Sequence, residues 1–453
     1  MTEPSTPASA LPRRGPSLGA ILAVAVPLVL LAALGLVFRE PITSVLAVTP
    51  WSTDAAVVIF IATYAVIAIG KLPGTRLDRA GAALLGAGLM VGVGAMTMEE
   101  AFAAIDLDTI ALLLGMMIVV ANLRISGVFR LVNAYAVSKA HSPAVVLVAV
   151  VLATGVLSAF LVNDAICLVM TPLVIELTKA LDRNPVPYLL GVALAANVGS
   201  TATITGNPQN MIIGTVSGIP YGSFAASLTP VAIVGLAIIV VIVGIAYRSE
   251  FLTKTTLPDV RLKAHVNKPL AIKATLLTLG MIVLFFLGQP VAKVAIICGG
   301  LLMLTRRVKP SRVYAEIDGA LLIMFAGLFV VVAAIEHTVL TPDIIRRVSS
   351  FSLDDVWVLT GVTAVLSNIV SNVPAVLILR PFVEVLADPT KAWITVAMAS
   401  TLAGNFTLLG SVANLIVAER AAASNIQIGF WTYFAVGAPV TLLTLAFGAW
   451  FLS

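Results

Sequence analysis

Apolar residues in this chain run in long blocks, not in the alternation of a half-buried strand. The blocks fall at 18–37, 55–70, 80–96, 109–123, 144–180, 187–219, 224–246, 269–287, 291–305, 319–336, 355–387, 391–424 and 430–452. About 20 apolar residues in helical form span the ~30 Å hydrocarbon core of a bilayer. The pattern therefore predicts an all-α polytopic membrane protein, and excludes a β-barrel, whose apolar positions alternate. Four blocks, 144–180, 187–219, 355–387 and 391–424, are too long for one simple span, and polar residues, Gly or Pro interrupt each of them.

Composition removes the soluble alternative. Of 453 residues, 60% are hydrophobic and 11% charged, against ~25% charged in ordinary soluble domains. The net charge of +5 belongs to loops and implies no nucleic-acid partner. Met1–Ser17 is a polar, Pro- and Ser-rich stretch, read as a disordered cytoplasmic tail (1–17). The block 18–37 follows as a first transmembrane helix, with a cleaved signal peptide as the alternative.

Charge then sets orientation. Arg13 and Arg14 precede the first span. Lys71, Arg76 and Arg79 follow the second, and Arg124, Arg130 and Lys139 follow the fourth. The loop 247–268 holds Arg248, Lys254, Arg261, Lys263 and Lys268, and Arg306, Arg307, Lys309 and Arg312 form a further cluster. By the positive-inside rule these sites are cytoplasmic. The alternation holds only if 144–180 enters and leaves on the cytoplasmic side and 355–387 does so on the other. Both are then re-entrant hairpins. The expected fold is about 11 transmembrane helices plus two hairpins in the plasma or inner membrane, N-terminus cytoplasmic and C-terminus outside.

The two halves repeat each other. GVLSAFLVNDAICLVMTPLVIEL (155–177) matches AVLSNIVSNVPAVLILRPFVEVL (364–386), pairing Ser158 with Ser367, Asn163 with Asn372 and Pro172 with Pro381. ALAANVGSTATITGNPQNMIIG (193–214) matches AMASTLAGNFTLLGSVANLIVA (397–418), pairing Thr203 with Thr407, Gly206 with Gly410 and Asn210 with Asn414. Segments 105–127 and 315–339 match loosely around Asp108/Asp318 and Gly115/Gly327. With the charge pattern, the repeats (55–246 and 269–452) face opposite ways. Inverted repeats with broken helices mark secondary transporters.

Helix breakers and polar residues at membrane depth are tolerated only inside protein or along a water-filled cavity. There are four such places. The hairpin tips hold Asn163-Asp164 and Ser371-Asn372; the breaks hold Thr203, Thr205, Gly206, Asn207 and Asn210, and Thr407, Gly410, Ser411 and Asn414. These are the candidate substrate- and ion-binding residues, expected to converge on one cavity. Free N–H groups at broken helix ends favour anions and free C=O groups favour cations. For any one Thr or Gly, close helix packing is the competing explanation. Asp164 binds Na⁺, carries a proton, repels an anion until neutralised, or merely caps a helix. A sodium ion is expected near Asn163, Asp164 and Asn372. Arg380 either attracts anions or snorkels outward. Cys167 and Cys298 show no metal spacing, and His141, His265 and His337 lie in or near loops. No cofactor is implied beyond Na⁺ or H⁺ as coupling ion. The spans offer almost no paired carboxylates, activated serine or metal ligands, so no enzyme is read here, and no G-x-x-x-x-G-K-[ST] loop is present.

FLVNDAICLVMTP (160–172), GNPQN (206–210), SNIVSNVPAVL (367–377) and GSVAN (410–414) resemble the ion transporter superfamily. That group holds arsenite permeases, D-type sodium/proton antiporters and divalent anion/sodium symporters, and the likeness is greatest to uncharacterised anion permeases. The symporters carry Ser-Asn-Thr at both tips; here the triplets are Val162-Asn163-Asp164 and Ser371-Asn372-Val373. Asn-Asp-Ala at the first tip is nearer the arsenite permeases, GNPQN nearer the symporters. The resemblance implies a homodimer in contact with membrane lipid, in which a transport unit slides as an elevator. The function expected is ion-coupled secondary transport of a small inorganic or organic anion. Arsenite/antimonite efflux, with or without a partner ATPase, sodium/proton antiport and a passive channel stand as alternatives.

Overall fold

The computed structural model describes residues 51–70, 76–131, 142–251, 266–340 and 352–453. The expected tail (1–17), first helix (18–37), His141, His265 and most of the loop 247–268 lie outside the described residues, as do Arg13, Arg14, Lys71, Lys139, Lys254, Arg261 and Lys263.

The described residues are helical, with no extended strand. The first half gives α1 (Trp51–Ile69), α2 (Arg79–Gly92), α3 (Met98–Ala104), α4 (Leu107–Ser126), α5 (Pro143–Phe160), α6 (Asn163–Ala180), α7 (Pro185–Ser200), α8 (Pro208–Ser217) and α9 (Tyr221–Ala246). The second gives α10 (Lys268–Phe286), α11 (Val291–Met303), α12 (Gly319–Thr338), α13 (Val356–Val370), α14 (Asn372–Val383), α15 (Pro389–Ala403), α16 (Val412–Ala422) and α17 (Phe430–Leu452). Short helical turns at Arg248–Phe251 and Pro310–Tyr314 complete the set.

Helix starts follow the sequence signals. Ser142 and Asn184 cap α5 and α7, each with Pro in the first turn, where its missing N–H costs nothing. Asp106 caps α4, which ends at Gly127 in the left-handed conformation (φ 85°). Seven described helices (α1, α4, α5, α9, α10, α12 and α17) are long and apolar enough to cross a membrane. Their outward faces stay apolar: Ile233 and Ile245 on α9 and Leu276 on α10 are more than half exposed. Such faces suit a lipid solvent.

Packing sorts the helices into two groups. In the first, α2 lies along α12 and α4 along α11, with α1, α3 and α10 alongside. In the second, α7 and α15 are central, surrounded by α5, α6, α8, α9, α13, α14, α16 and α17. From Pro187 to Ser200 every residue of α7 is buried, as is every residue of α15 from Ala392 to Ala403.

The sequence repeat is reproduced in the packing. A Cβ on Gly115 of α4 would lie 2.5 Å from the Ala295 carbonyl carbon of α11. One on Gly327 of α12 would lie 2.6 Å from that of Ala83 in α2. The register that pairs Gly115 with Gly327 also pairs Ala83 with Ala295. Each half thus supplies a long helix that holds the short helix of the other.

The blocks 144–180 and 355–387 are helix pairs. A two-residue break, Leu161-Val162, separates α5 from α6, and Ser371 alone separates α13 from α14; in each pair the helices pack on one another. The long blocks 187–219 and 391–424 are broken as well, between α7 and α8 and between α15 and α16.

Candidate functional site

The two breaks carry a reciprocal hydrogen-bond network. Asn210 Nδ2 donates to the carbonyls of Ser200 (3.1 Å) and Thr203 (3.0 Å). At the matching register, Asn414 Nδ2 donates to the carbonyls of Gly404 (2.8 Å) and Thr407 (3.1 Å). Each Asn thereby satisfies carbonyls freed where α7 and α15 end. Gly206 and Gly410 lie close on the same helix ends: a Cβ would come within 2.2 Å of the Ser200 oxygen and 2.8 Å of the Gly404 oxygen.

The halves then cross-link. Asn197 of α7 donates to Asn405 Oδ1 (2.8 Å) and Asn414 Oδ1 (3.1 Å). Its Oδ1 accepts from Asn163 Nδ2 (3.0 Å) and Ser411 Oγ (3.1 Å). The full donor and acceptor capacity of that amide is used. Thr401, its counterpart on α15, accepts from Asn207 Nδ2 and Gln209 Nε2, both at 3.2 Å, and donates to Asn210 Oδ1 at 3.4 Å. So Asn197 meets Ser411 and Asn414, while Thr401 meets their repeat partners Asn207 and Asn210.

In front of this network lies an open cleft. Asn163, Asp164, Ser371, Asn372 and Ser411 line it with Pro208, Gln209 and Val412. The three residues expected near sodium, Asn163, Asp164 and Asn372, share this one space. Asn207, Asn210 and Asn414 stand behind it in the network. Thr203 and Thr205 serve the first tip: Thr203 Oγ1 donates to the Ala159 carbonyl, and Thr205 Oγ1 hydrogen-bonds Tyr221 Oη at 2.9 Å. Thr407 contributes its carbonyl to Asn414.

Four helices begin at the cleft: α6 at Asn163, α8 at Pro208, α14 at Asn372 and α16 at Val412. Asn207 caps α8 (Oδ1 from Asn210 N, 2.9 Å) and Ser411 caps α16 (Oγ from Ala413 N, 3.3 Å). The starts of α6 and α14 have no side-chain cap. Asp164 is therefore not a capping residue: the cap position is Val162. Ser371 stands at φ 80°, ψ 161°, a region that side-chain-bearing residues pay about 1–3 kcal/mol to occupy.

Each helix N-terminus carries about +0.5 charge. Four such starts border the cleft beside Asp164, a setting in which free first-turn N–H groups can hold an anion.

Asn197, Thr401 and Arg79 escaped the sequence reading. Asn197 sits alone in an apolar helix, and a buried Asn at membrane depth is itself a signal. Arg79, read only as a loop charge, opens α2 and lines the cleft. Arg380 is not a cleft residue: its Nε pairs with Glu384 Oε1 at 3.1 Å on an exposed face of α14.

An uncharacterised transporter of Mycobacterium tuberculosis is 30% identical over 88% of this chain and 97% of its own length. The silicon efflux transporter LSI3 of Oryza sativa subsp. japonica is 28% identical over 83% of this chain and 93% of its own. The fold is shared with the crystal structure of the Alcanivorax borkumensis YdaH transporter (TM-score 0.54, 15% identity, 89% of this chain and 97% of that one). The citrate transporter family matches residues 59–403. The chain is a multi-pass membrane transporter and belongs to the citrate transporter family.

Proposed function

We propose that the protein is an ion-coupled secondary transporter of a small anion, bound in the cleft between the two helix pairs and the two breaks. The observation that carries this is the convergence of four helix starts on one cleft. The first-turn N–H groups of α6 and α14 hold the anion. The amides of Asn163, Asn372 and Gln209 orient it. Asp164, the acid in the cleft, takes the coupling ion, Na⁺ with Asn163 and Asn372, or H⁺.

On this reading α5–α6 and α13–α14 are re-entrant hairpins of opposite orientation, and the halves 55–246 and 269–452 are inverted repeats. The second helix group is the moving unit and the first is the scaffold, which forms a homodimer in the inner or plasma membrane. The cleft lies between the groups: Ile67, Leu321, Met324 and Phe325 face it from the first and the polar tips from the second. A movement of one group against the other would carry the bound anion past an apolar wall.

The departures from Ser-Asn-Thr at the tips count against a carboxylate, whereas the family's description favours one. A second reading rests on the rice relative: an uncharged hydroxide such as silicic acid. Purified protein in liposomes, with citrate, succinate, sulfate, phosphate, arsenite and silicic acid under imposed Na⁺ or H⁺ gradients, separates these. Saturable, gradient-dependent uptake of an anion is expected. Linear, gradient-independent flux would sink the proposal in favour of a channel, and uptake of silicic acid or arsenite alone would favour the neutral solute. Asp164→Asn should abolish gradient-driven uptake and leave exchange of internal for external substrate; driven uptake at wild-type rate would remove Asp164 from coupling.

A further inference from the structure

The polar side chains of the cleft come from the second helix group, with one exception. Arg79 reaches it from α2, in the first group, whose other contributions, Ile67, Leu321, Met324 and Phe325, are apolar. Its guanidinium passes beside Gly70: a Cβ there would lie 3.6 Å from Nη2. The side chain is half-buried. Among the described residues it has neither a hydrogen-bond nor an ion-pair partner. The adjacent Asp78 caps α2, its Oδ1 accepting from Gly81 N at 2.8 Å, and forms no ion pair with Arg79.

A half-buried cation costs solvation free energy unless something answers its charge. A guanidinium answers carboxylates and oxyanions through two parallel N–H···O bonds. We propose that Arg79 is the cation that contacts the transported anion, from the α2 side of the cleft. This rests on the reading of the cleft as an anion-transport site and adds a binding residue to it. The anion is then held by main-chain N–H groups of one helix group and by the fork of Arg79 from the other. The two sets of contacts coexist only while the groups stand in the register described here. Arg79 thus favours the anion in this register over any register that carries the cleft away from α2. An uncharged solute gains nothing from it.

The test uses Arg79→Gln and Arg79→Lys in proteoliposomes, with citrate and sulfate as charged probes and silicic acid as the neutral one. Losing one charged hydrogen-bonding partner should raise the apparent KM for the transported anion by roughly 10–100-fold. Arg79→Lys, which keeps the charge and loses the fork, should fall between. Any silicic acid flux should stay within about 2-fold. An anion KM unchanged in Arg79→Gln would overturn the role of Arg79 alone. Absence of anion uptake by the wild-type protein would overturn the transport reading beneath it. Should Arg79→Gln not fold, phenylglyoxal labelling of Arg79 in the wild-type protein, read by mass spectrometry, decides. Citrate or sulfate should slow it and silicic acid should not; labelling indifferent to both anions would overturn the proposal.

Discussion

Removing the Asn197 side chain would leave four buried groups without that partner: the amide of Asn163, the hydroxyl of Ser411 and the carbonyl oxygens of Asn405 and Asn414. Each unpaired buried group costs about 1–3 kcal/mol. Asn197→Leu should therefore lower stability by several kcal/mol, read as a large fall in the melting temperature of the detergent-solubilised protein. A melting temperature close to wild type would show that the network re-pairs locally. Ser371→Gly should do the reverse. Gly accepts φ 80° without a Cβ penalty, so the variant should gain about 1 kcal/mol. The same chemistry explains what could be read in advance. Asn163, Asn207, Asn210, Asn372 and Asn414 stood out because they accompany Gly, Pro or one another where an apolar run is interrupted. Asn197 and Thr401 did not, because their helices continue past them without a break. Arg79 was hidden by its place at the edge of an apolar block, where a charge ordinarily marks a loop.

Single elements were legible wherever their boundaries are chemical. The start of α6 at Asn163 and of α14 at Asn372 coincides with the tips chosen from the repeat. The partnership of α2 with α12 and α4 with α11 was not, because a small residue announces close approach without naming the partner. That partnership is testable. Gly115→Leu and Gly327→Leu should each force two backbones apart and cost about 1–3 kcal/mol or more. Gly88→Ala, with open space at its Cβ, should be tolerated; equal damage from all three would disprove the packing argument. On α3, Thr97 and Glu100 form a capping box in which the backbone N–H and hydroxyl of Thr97 hold the Glu100 carboxyl below its usual range. A lowered carboxyl pKa means stability that is present above the unfolded value and lost as pH falls through the folded one. Thr97→Ala removes the hydroxyl that caps Glu100 N and should cost about 1 kcal/mol in a melt; the Thr97 backbone N–H still holds the carboxylate, so most of that difference should persist when the pH drops below the folded value.

At the scale of the whole molecule, two helix groups meet along a few contacts, and function on the elevator reading requires those contacts to change. One is well defined: Thr109 of α4 and Thr215 of α8 have hydroxyls 2.6 Å apart, and both hydroxyls donate to Asp106 Oδ2. Side chains in such direct contact are candidates for a disulfide, which joins Cβ atoms roughly 4 Å apart. Thr109→Cys/Thr215→Cys should lose net uptake on oxidation and regain it on reduction. Uptake that survives complete oxidation would mean that these groups do not move apart. The native thiols, Cys167 and Cys298, are both buried and free, so they interfere little.

The reciprocal network has a consequence for biogenesis. Asn197 leaves the ribosome some two hundred residues ahead of Asn405, Ser411 and Asn414, its partners in the second half. Until those residues arrive, the Nδ2 group of Asn197 lacks both of its acceptors in a central helix, a state that hydrocarbon would solvate badly. The nascent first half should therefore stay with the insertion machinery until the second is made. Co-expressed as two separate polypeptides divided in the loop 247–268, the halves should stabilise each other, and either alone should be degraded.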